Sequence, residues 1–319
     1  MLEENKMSKR IVIALGGNAL GNDPAEQIER AERAAVSLVD LIEEDSEIVI
    51  THGNGPQVGM IDLAFATARE SDEKIPHMPL PECTAMSQGY IGYHLQNAVL
   101  REMRKRGMPW HAATLTTQIE VDPNDPAFRK PTKPIGPYYS EEEAKELMRN
   151  YPHLFYANDA GRGYRLTVAS PRPKDIIEKE ALLTLLDNEF VVIACGGGGI
   201  PVIRRNEDTL EGANAVIDKD FAASFLAELV DAESLFILTA VERVALNFGK
   251  PDMKEISEMT VAEAEKYCSE GHFAPGSMLP KVEAAISFAK SKKGRRAVIA
   301  SLEKASLALK GESGTLITS

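Results

Sequence analysis

Three short apolar runs in this chain end in glycine. RIVIAL (10–15) runs into GGN, EIVIT (47–51) into HGNG, and EFVVIAC (189–195) into GGGG. β-Branched runs of this length, closed by turn residues, read as buried strands. Apolar residues then recur at helical spacing. In residues 24–44, Ile28, Ala31, Ala35, Leu38, Leu41 and Ile42 share one helix face. Further helices are predicted from near Pro56, over about 85–106, and over 140–150, 218–230, 260–268 and 279–291, with strands over 111–117, 234–239 and 296–301. Strands alternating with helices call for a largely parallel sheet covered on both faces, a three-layer αβα sandwich of α/β class.

One segment breaks this rhythm. VDPNDPAFRKPTKPIGPYY (121–139) carries five prolines, so it is neither a core helix nor a central strand. SEEEAKELMRN (140–150) then opens on a capping box. Residues 121–168 therefore read as an excursion, a small protruding subdomain or lid.

The 319 residues suffice for one large α/β domain or two modest ones. A net charge of -12 argues against nucleic acid as a partner, because phosphate neutralisation needs basic surface. No apolar run reaches membrane-spanning length, and MLEENKMSKR has no signal-peptide core, so no membrane association is expected. Cys83, Cys195 and Cys268 are far apart in sequence and form no metal or disulfide pattern; reduced thiols in a cytoplasmic protein are the expectation.

In a parallel sheet, ligands sit beyond the carboxyl ends of the strands. Glycine lets backbone approach a ligand, and a helix N-terminus favours an anion. Gly16, Gly17 and Asn18, with Gly53, Asn54, Gly55 and Gly196–Gly199, thus point to a shared anion site. Gly53, Gly55 and Gly59 loosely fit a dinucleotide fingerprint, but the acidic ribose partner at the next strand end is missing. The P-loop pattern is absent as well. His52 reads as a strand-end residue rather than a general base. Phosphoryl transfer needs charge neutralisation and alignment more than covalent chemistry. Lys133 between prolines, Lys219 in IDKD and Lys281 at a helix start are the candidate cations. Asp218 and Asp220 could cap a helix, orient Lys219 or contact a metal; spacing does not choose among these.

The segments VIALGGNAL, HGNGPQVG, AMSQGYIGY, KPTKPIGP, GGGGIPV, AVIDKD and HFAPGSMLPKVEAA together resemble the carbamate kinases of the amino acid kinase superfamily. The likeness runs from about residue 9 to 317. It implies a two-lobed αβα sandwich, usually a homodimer, catalysing ATP + carbamate ⇌ ADP + carbamoyl phosphate with Mg²⁺. In fermentative arginine breakdown such enzymes run toward ATP. The implied lobes are 1–214, with the carbamate site and the lid, and 215–319, with the nucleotide. By this resemblance Gly16, Gly17, Asn18, Gly53, Asn54 and Gly55 hold carbamate and the transferring phosphoryl group. Lys133 and Lys219 stabilise that group, Asp218 and Asp220 organise Lys219, and Lys219, Thr239, Ser277, Met278 and Lys281 serve the nucleotide. Mg²⁺ is expected to be held mainly by ATP or ADP phosphates. The chain departs from the family pattern at Tyr164, Ala169 and Asn214, where tryptophan, proline and glutamate are usual.

Overall fold

In the computed structural model, residues 9–16, 20–21, 23–42, 46–152, 154–159 and 161–319 are described. Eight strands form the central sheet, in spatial order Glu258–Thr260, Thr315–Thr318, Arg296–Ser301, Ser234–Thr239, Lys9–Leu15, Ser46–His52, Phe190–Ile193 and His111–Thr114. All neighbours run parallel except Thr315–Thr318, which returns antiparallel along Arg296–Ser301. The strands are continuous apolar runs because both faces are buried. Ile11, Ile13 and Leu15 join one core with Leu38 and Leu95, from helices Pro24–Ile42 and Leu80–Lys105. Val12 and Ala14 join the opposite core with Leu226 and Phe288, from helices Lys219–Leu229 and Met278–Ser291. This is the three-layer sandwich expected from the sequence.

Most predicted elements are present, with shifted ends. The expected helix over 85–106 begins earlier, at Leu80, since Pro79 and Pro81 suit a helix start. The strand expected over 111–117 stops at Thr114, after which Thr117 turns to side-chain duties described below. The strand expected over 189–195 is Phe190–Ile193, because Glu189 and Cys195 both take positive φ. Ile28, placed on the buried face by periodicity, is 47% exposed, and Gln27 is buried instead. Both predicted capping boxes form, at Ser140 with Glu143 and at Thr260 with Glu263.

The excursion builds its own antiparallel sheet of Lys133–Tyr139, Tyr164–Val168 and Phe155–Asn158, with helix Glu141–Asn150 beside it. A further four-stranded sheet, from Thr209–Gly212, Ile200–Asn206, Gln118–Val121 and Pro173–Ile176, lies beside its base. The excursion touches the helix Gly55–Ser71 at one tight point. A Cβ on Gly59 would lie 2.1 Å from the Gly136 backbone, so only glycine fits there. Gly136 also takes φ +72°, which favours glycine on conformational grounds. This contact sets where the strand bearing Lys133 lies. Among the described residues no helix is long and apolar enough to cross a membrane, and the three cysteines are free thiols.

Candidate active site

The glycine turns are held together by buried side chains. Gln88, from the helix Leu80–Lys105, donates to the carbonyls of Thr117 and Gly196 and accepts from the Thr117 amide. The Thr117 hydroxyl accepts from the Cys195 amide, and Thr51 donates to the Cys195 carbonyl. The first turn is tied in by the Gly16 amide, which donates to Leu238 O, and the second by the Gly53 amide, which donates to Leu15 O. Asn54 is 3% exposed and donates to Ser87 Oγ at 2.8 Å. A Cβ on Gly197 would come within 2.1 Å of the Asn54 amide, so the third turn is glycine where the second needs room. Gly17 and Asn18 lie outside the described residues.

His52 ends its strand fully buried. Its Nδ1 donates to the Gly53 carbonyl at 2.9 Å, and its Nε2 edge faces Gly196. Burial, with a smaller contribution from the Lys219 charge, pushes its imidazole down to about 4 against the Gly53 bond. It is neutral at pH 7 and fills a structural position, as expected. An unfolded chain protonates His52 near pH 6.5 and the native chain only near 4. Native stability is therefore complete above pH 6.5 and falls as pH drops toward 4, by about 3 kcal/mol from this group. His52→Gln is expected to flatten that acid slope in denaturant titrations at pH 4.5 and 7. An unchanged slope would show that His52 titrates normally in the native protein.

Beyond these turns five charged side chains interlock. Lys133 Nζ donates to Asp218 Oδ2 at 2.5 Å, Lys219 Nζ to Asp220 Oδ1 at 2.6 Å, and Lys281 Nζ to Asp220 Oδ2 at 2.8 Å. The remaining Asp218 oxygen accepts from the Asp220 amide and so caps the helix Lys219–Leu229. The expectation that both aspartates organise Lys219 is met by Asp220 alone, which gathers Lys219 and Lys281; Asp218 caps the helix and bonds Lys133 instead, because the excursion's strand brings that lysine to it. Burial alone pushes the Asp220 carboxyl up, but the ammonium groups of Lys219 and Lys281 overcome it and hold it well below the usual carboxylate range. Burial likewise opposes ionisation of Asp218, and Lys133 reverses it. Burial lowers the Lys219 ammonium, with Asp220 opposing. For Lys281, burial is outweighed by Asp220, and its ammonium is strengthened.

The three lysines and two aspartates line one cavity of about 630 Å³, together with Gly53, Asn54, Gly55, Gly197 and Ser277. Two helix N-termini open there without a side-chain cap, at Asn54 and at Ser277. Helix N-termini suit an anion, although at the second the Ser277 and Leu279 amides already donate to Ala274 O and Pro280 carries no N–H. A second cavity, of about 500 Å³, is lined by Gly16, Thr239, Phe248, Met278 and Lys281, among others. Gly276, Ser277 and Lys281 line both cavities. The structure thus brings Lys133, Lys219, Asp218, Asp220, Gly53, Asn54 and Gly55 to one cavity. It places Gly16, Thr239 and Met278 in the adjoining one, with Ser277 and Lys281 at the junction. Lys219 lines only the first.

Sequence reasoning missed Asn158, Asp159, Arg162, Arg165 and Arg172, which line the first cavity from the excursion and its base. The repeated arginines of GRGYR were the available signal. Among the described residues no cluster of three or more His, Cys, Asp or Glu suits a metal ion. Every oxygen of Asp218 and Asp220 already accepts from an ammonium or an amide. This donor set fits a divalent cation carried in on phosphate oxygens rather than one bound by protein carboxylates.

The model of the amino acid kinase family matches residues 9–301. The carbamate kinase-like protein YqeA of Escherichia coli K12 is 54% identical over 98% of this chain and 99% of its own length. The carbamate kinase of Clostridium perfringens is 53% identical over 97% and 99%. Among solved structures, the carbamate kinase from Giardia lamblia bound to AMP-PNP superposes with a TM-score of 0.88 at 42% identity, covering 98% of this chain and 99% of that one.

Proposed function

The chain belongs to the amino acid kinase family, in its carbamate kinase branch, and on that premise we propose how its residues divide the reaction. The protein transfers a phosphoryl group between carbamoyl phosphate and ADP. The lysine–aspartate cluster facing two uncapped helix N-termini is the observation that carries the assignment. A β-phosphate oxygen of ADP bonds to phosphorus as the bond from phosphorus to the carbamate oxygen breaks, giving ATP and carbamate. No protein nucleophile is needed, so the residues act by position and charge. Lys133 and Lys219 stabilise the phosphoryl group in transit. Asp218 and Asp220 aim them, and the amides at Gly53 to Gly55 receive the carbamate end.

Lys281 and Ser277 stand at the junction of the cavities and take the nucleotide phosphates. The cavity of Thr239, Met278 and Phe248 takes the nucleoside. On this reading the nucleotide lies mainly on residues 215–319, with Gly16 also in its cavity, and the small substrate lies under the excursion between 1–214 and the Asp218–Asp220 segment. Mg²⁺, which would be held mainly by the nucleotide's own phosphates, would supply further charge neutralisation. A cytoplasmic homodimer running toward ATP in arginine breakdown completes the reading, on the family likeness alone.

Mixing the protein with carbamoyl phosphate, ADP and Mg²⁺ and measuring ATP tests this. No ATP above background sinks it. Lys133→Ala is expected to lower kcat by about 10²- to 10³-fold, as loss of one preorganised donor does, and to change KM for ADP far less. A change confined to ADP affinity would remove Lys133 from the phosphoryl group.

A further inference from the structure

The lysine–aspartate cluster by itself carries too little charge for the substrates. Three lysines against two aspartates leave one net positive charge in the cluster. Carbamoyl phosphate and ADP together bring about five negative charges near neutral pH, and one Mg²⁺ offsets two. More cation must come from elsewhere in the wall, and three arginines are there. Arg172 lies over the Phe221 ring at 3.3 Å. Arg165 is 9% exposed and committed to the fold: its Nε donates to Gly136 O at 2.9 Å and its Nη1 to Asp159 Oδ2 at 3.3 Å. Arg162 differs. Its side chain is 63% exposed, and its hydrogen-bond partner is again Asp159 Oδ2, at 2.9 Å.

Asp159 Oδ2 therefore receives three donors, since Tyr138 Oη also reaches it at 3.0 Å. Arg162 and Arg165 also both approach the Tyr138 ring, at 5.4 and 5.1 Å. One oxygen shared three ways keeps adequate partners when one leaves. Arg165 stays, being buried and bonded to Gly136 O as well, and Tyr138, though 45% exposed, is carried on the strand Lys133–Tyr139. The exposed Arg162 is the donor free to go, and a phosphate offers a guanidinium a better bidentate match than a shared carboxylate oxygen.

We propose that Arg162 rests on Asp159 and transfers to the phosphoryl oxygens of carbamoyl phosphate when that substrate binds, becoming a substrate-binding residue of the excursion. This rests on the kinase reading above. It gives the excursion a second cationic substrate contact beside Lys133, one that uses both charge and the guanidinium fork.

The test compares wild type, Arg162→Met and Arg162→Lys in ATP formation, with KM measured separately for carbamoyl phosphate and ADP. Arg162→Met is expected to raise KM for carbamoyl phosphate about ten- to hundred-fold, leaving KM for ADP and Tm unchanged. Arg162→Lys, keeping charge but not the fork, should recover part of the loss. Asp159→Ser, which removes the resting partner, should not reproduce the selective effect of Arg162→Met. An active wild type with unchanged KM in Arg162→Met overturns the assignment alone. So does an equal rise for both substrates with a lowered Tm, which marks a structural role. Wild type forming no ATP overturns the kinase reading and this assignment with it.

Discussion

Lys219→Ala is expected to lower ATP formation from carbamoyl phosphate and ADP by about 10³-fold or more. Cations placed on a transferring phosphoryl group are worth about 10³ to 10⁵ in kcat. Lys219 is well placed for that part. It opens the helix Lys219–Leu229, its side chain is only 11% exposed, and it lines the cavity between Asp218 and Asp220. Burial puts its charge in a medium where water competes little. Because Asp220 keeps a second ammonium in Lys281, the variant should still fold, and Tm separates loss of chemistry from loss of structure. Lys219→Arg should restore little, since a longer planar group cannot occupy the same point. Activity within tenfold of wild type would exclude Lys219 from the transferred group.

Asp220→Ala should damage the protein in a different way. Asp220 is 3% exposed and is the common partner of Lys219 and Lys281. Removing it leaves two ammonium groups close together without their counter-charge. Breaking a buried pair in this way costs about 3–5 kcal/mol, a fall in Tm of about 5–10 °C for a chain of this size. The native carboxyl lies below its ordinary 3.8, so its contribution is complete above that pH and is lost only as pH falls further. Asp220→Asn keeps the shape and isolates the charge. Asp220 raises the Lys219 ammonium against burial. In its absence Lys219 should lose its proton at lower pH, and the alkaline limb of kcat should move down. An unmoved limb would mean that Lys219 is not the titrating group.

The sheet was legible in the sequence because burial of both faces makes each strand a continuous apolar run, as at Ile11–Leu15 and Leu235–Leu238. Helix starts were legible where a side chain does local chemistry, as at Ser140 and Thr260. Short strands were not: Val244–Leu246, Thr209–Gly212 and Pro173–Ile176 are too brief to show a period. The antiparallel return of Thr315–Thr318 has no local signature either. Within the site, the lysines stood out through their flanking prolines and aspartates. The Asp159, Arg162 and Arg165 group did not, because a tight loop and a strand pairing bring those side chains together. The Gln88 tether was hidden too, since it joins carbonyls of Thr117 and Gly196 from a helix far away in sequence.

The strand Lys9–Leu15 lies inside the sheet, between Ser46–His52 and Ser234–Thr239. During synthesis one edge finds its neighbour early and the other does not. Arg10, at the margin of that strand, donates to Val230 O, 220 residues away. At about 5–20 residues per second, ribosomes need on the order of 10–40 s to supply that neighbour. Throughout that interval an apolar edge with open amides and carbonyls is available to other nascent chains. The yield of this kinase in a cell is thus set partly by whatever shields an inner strand before its second partner has been made.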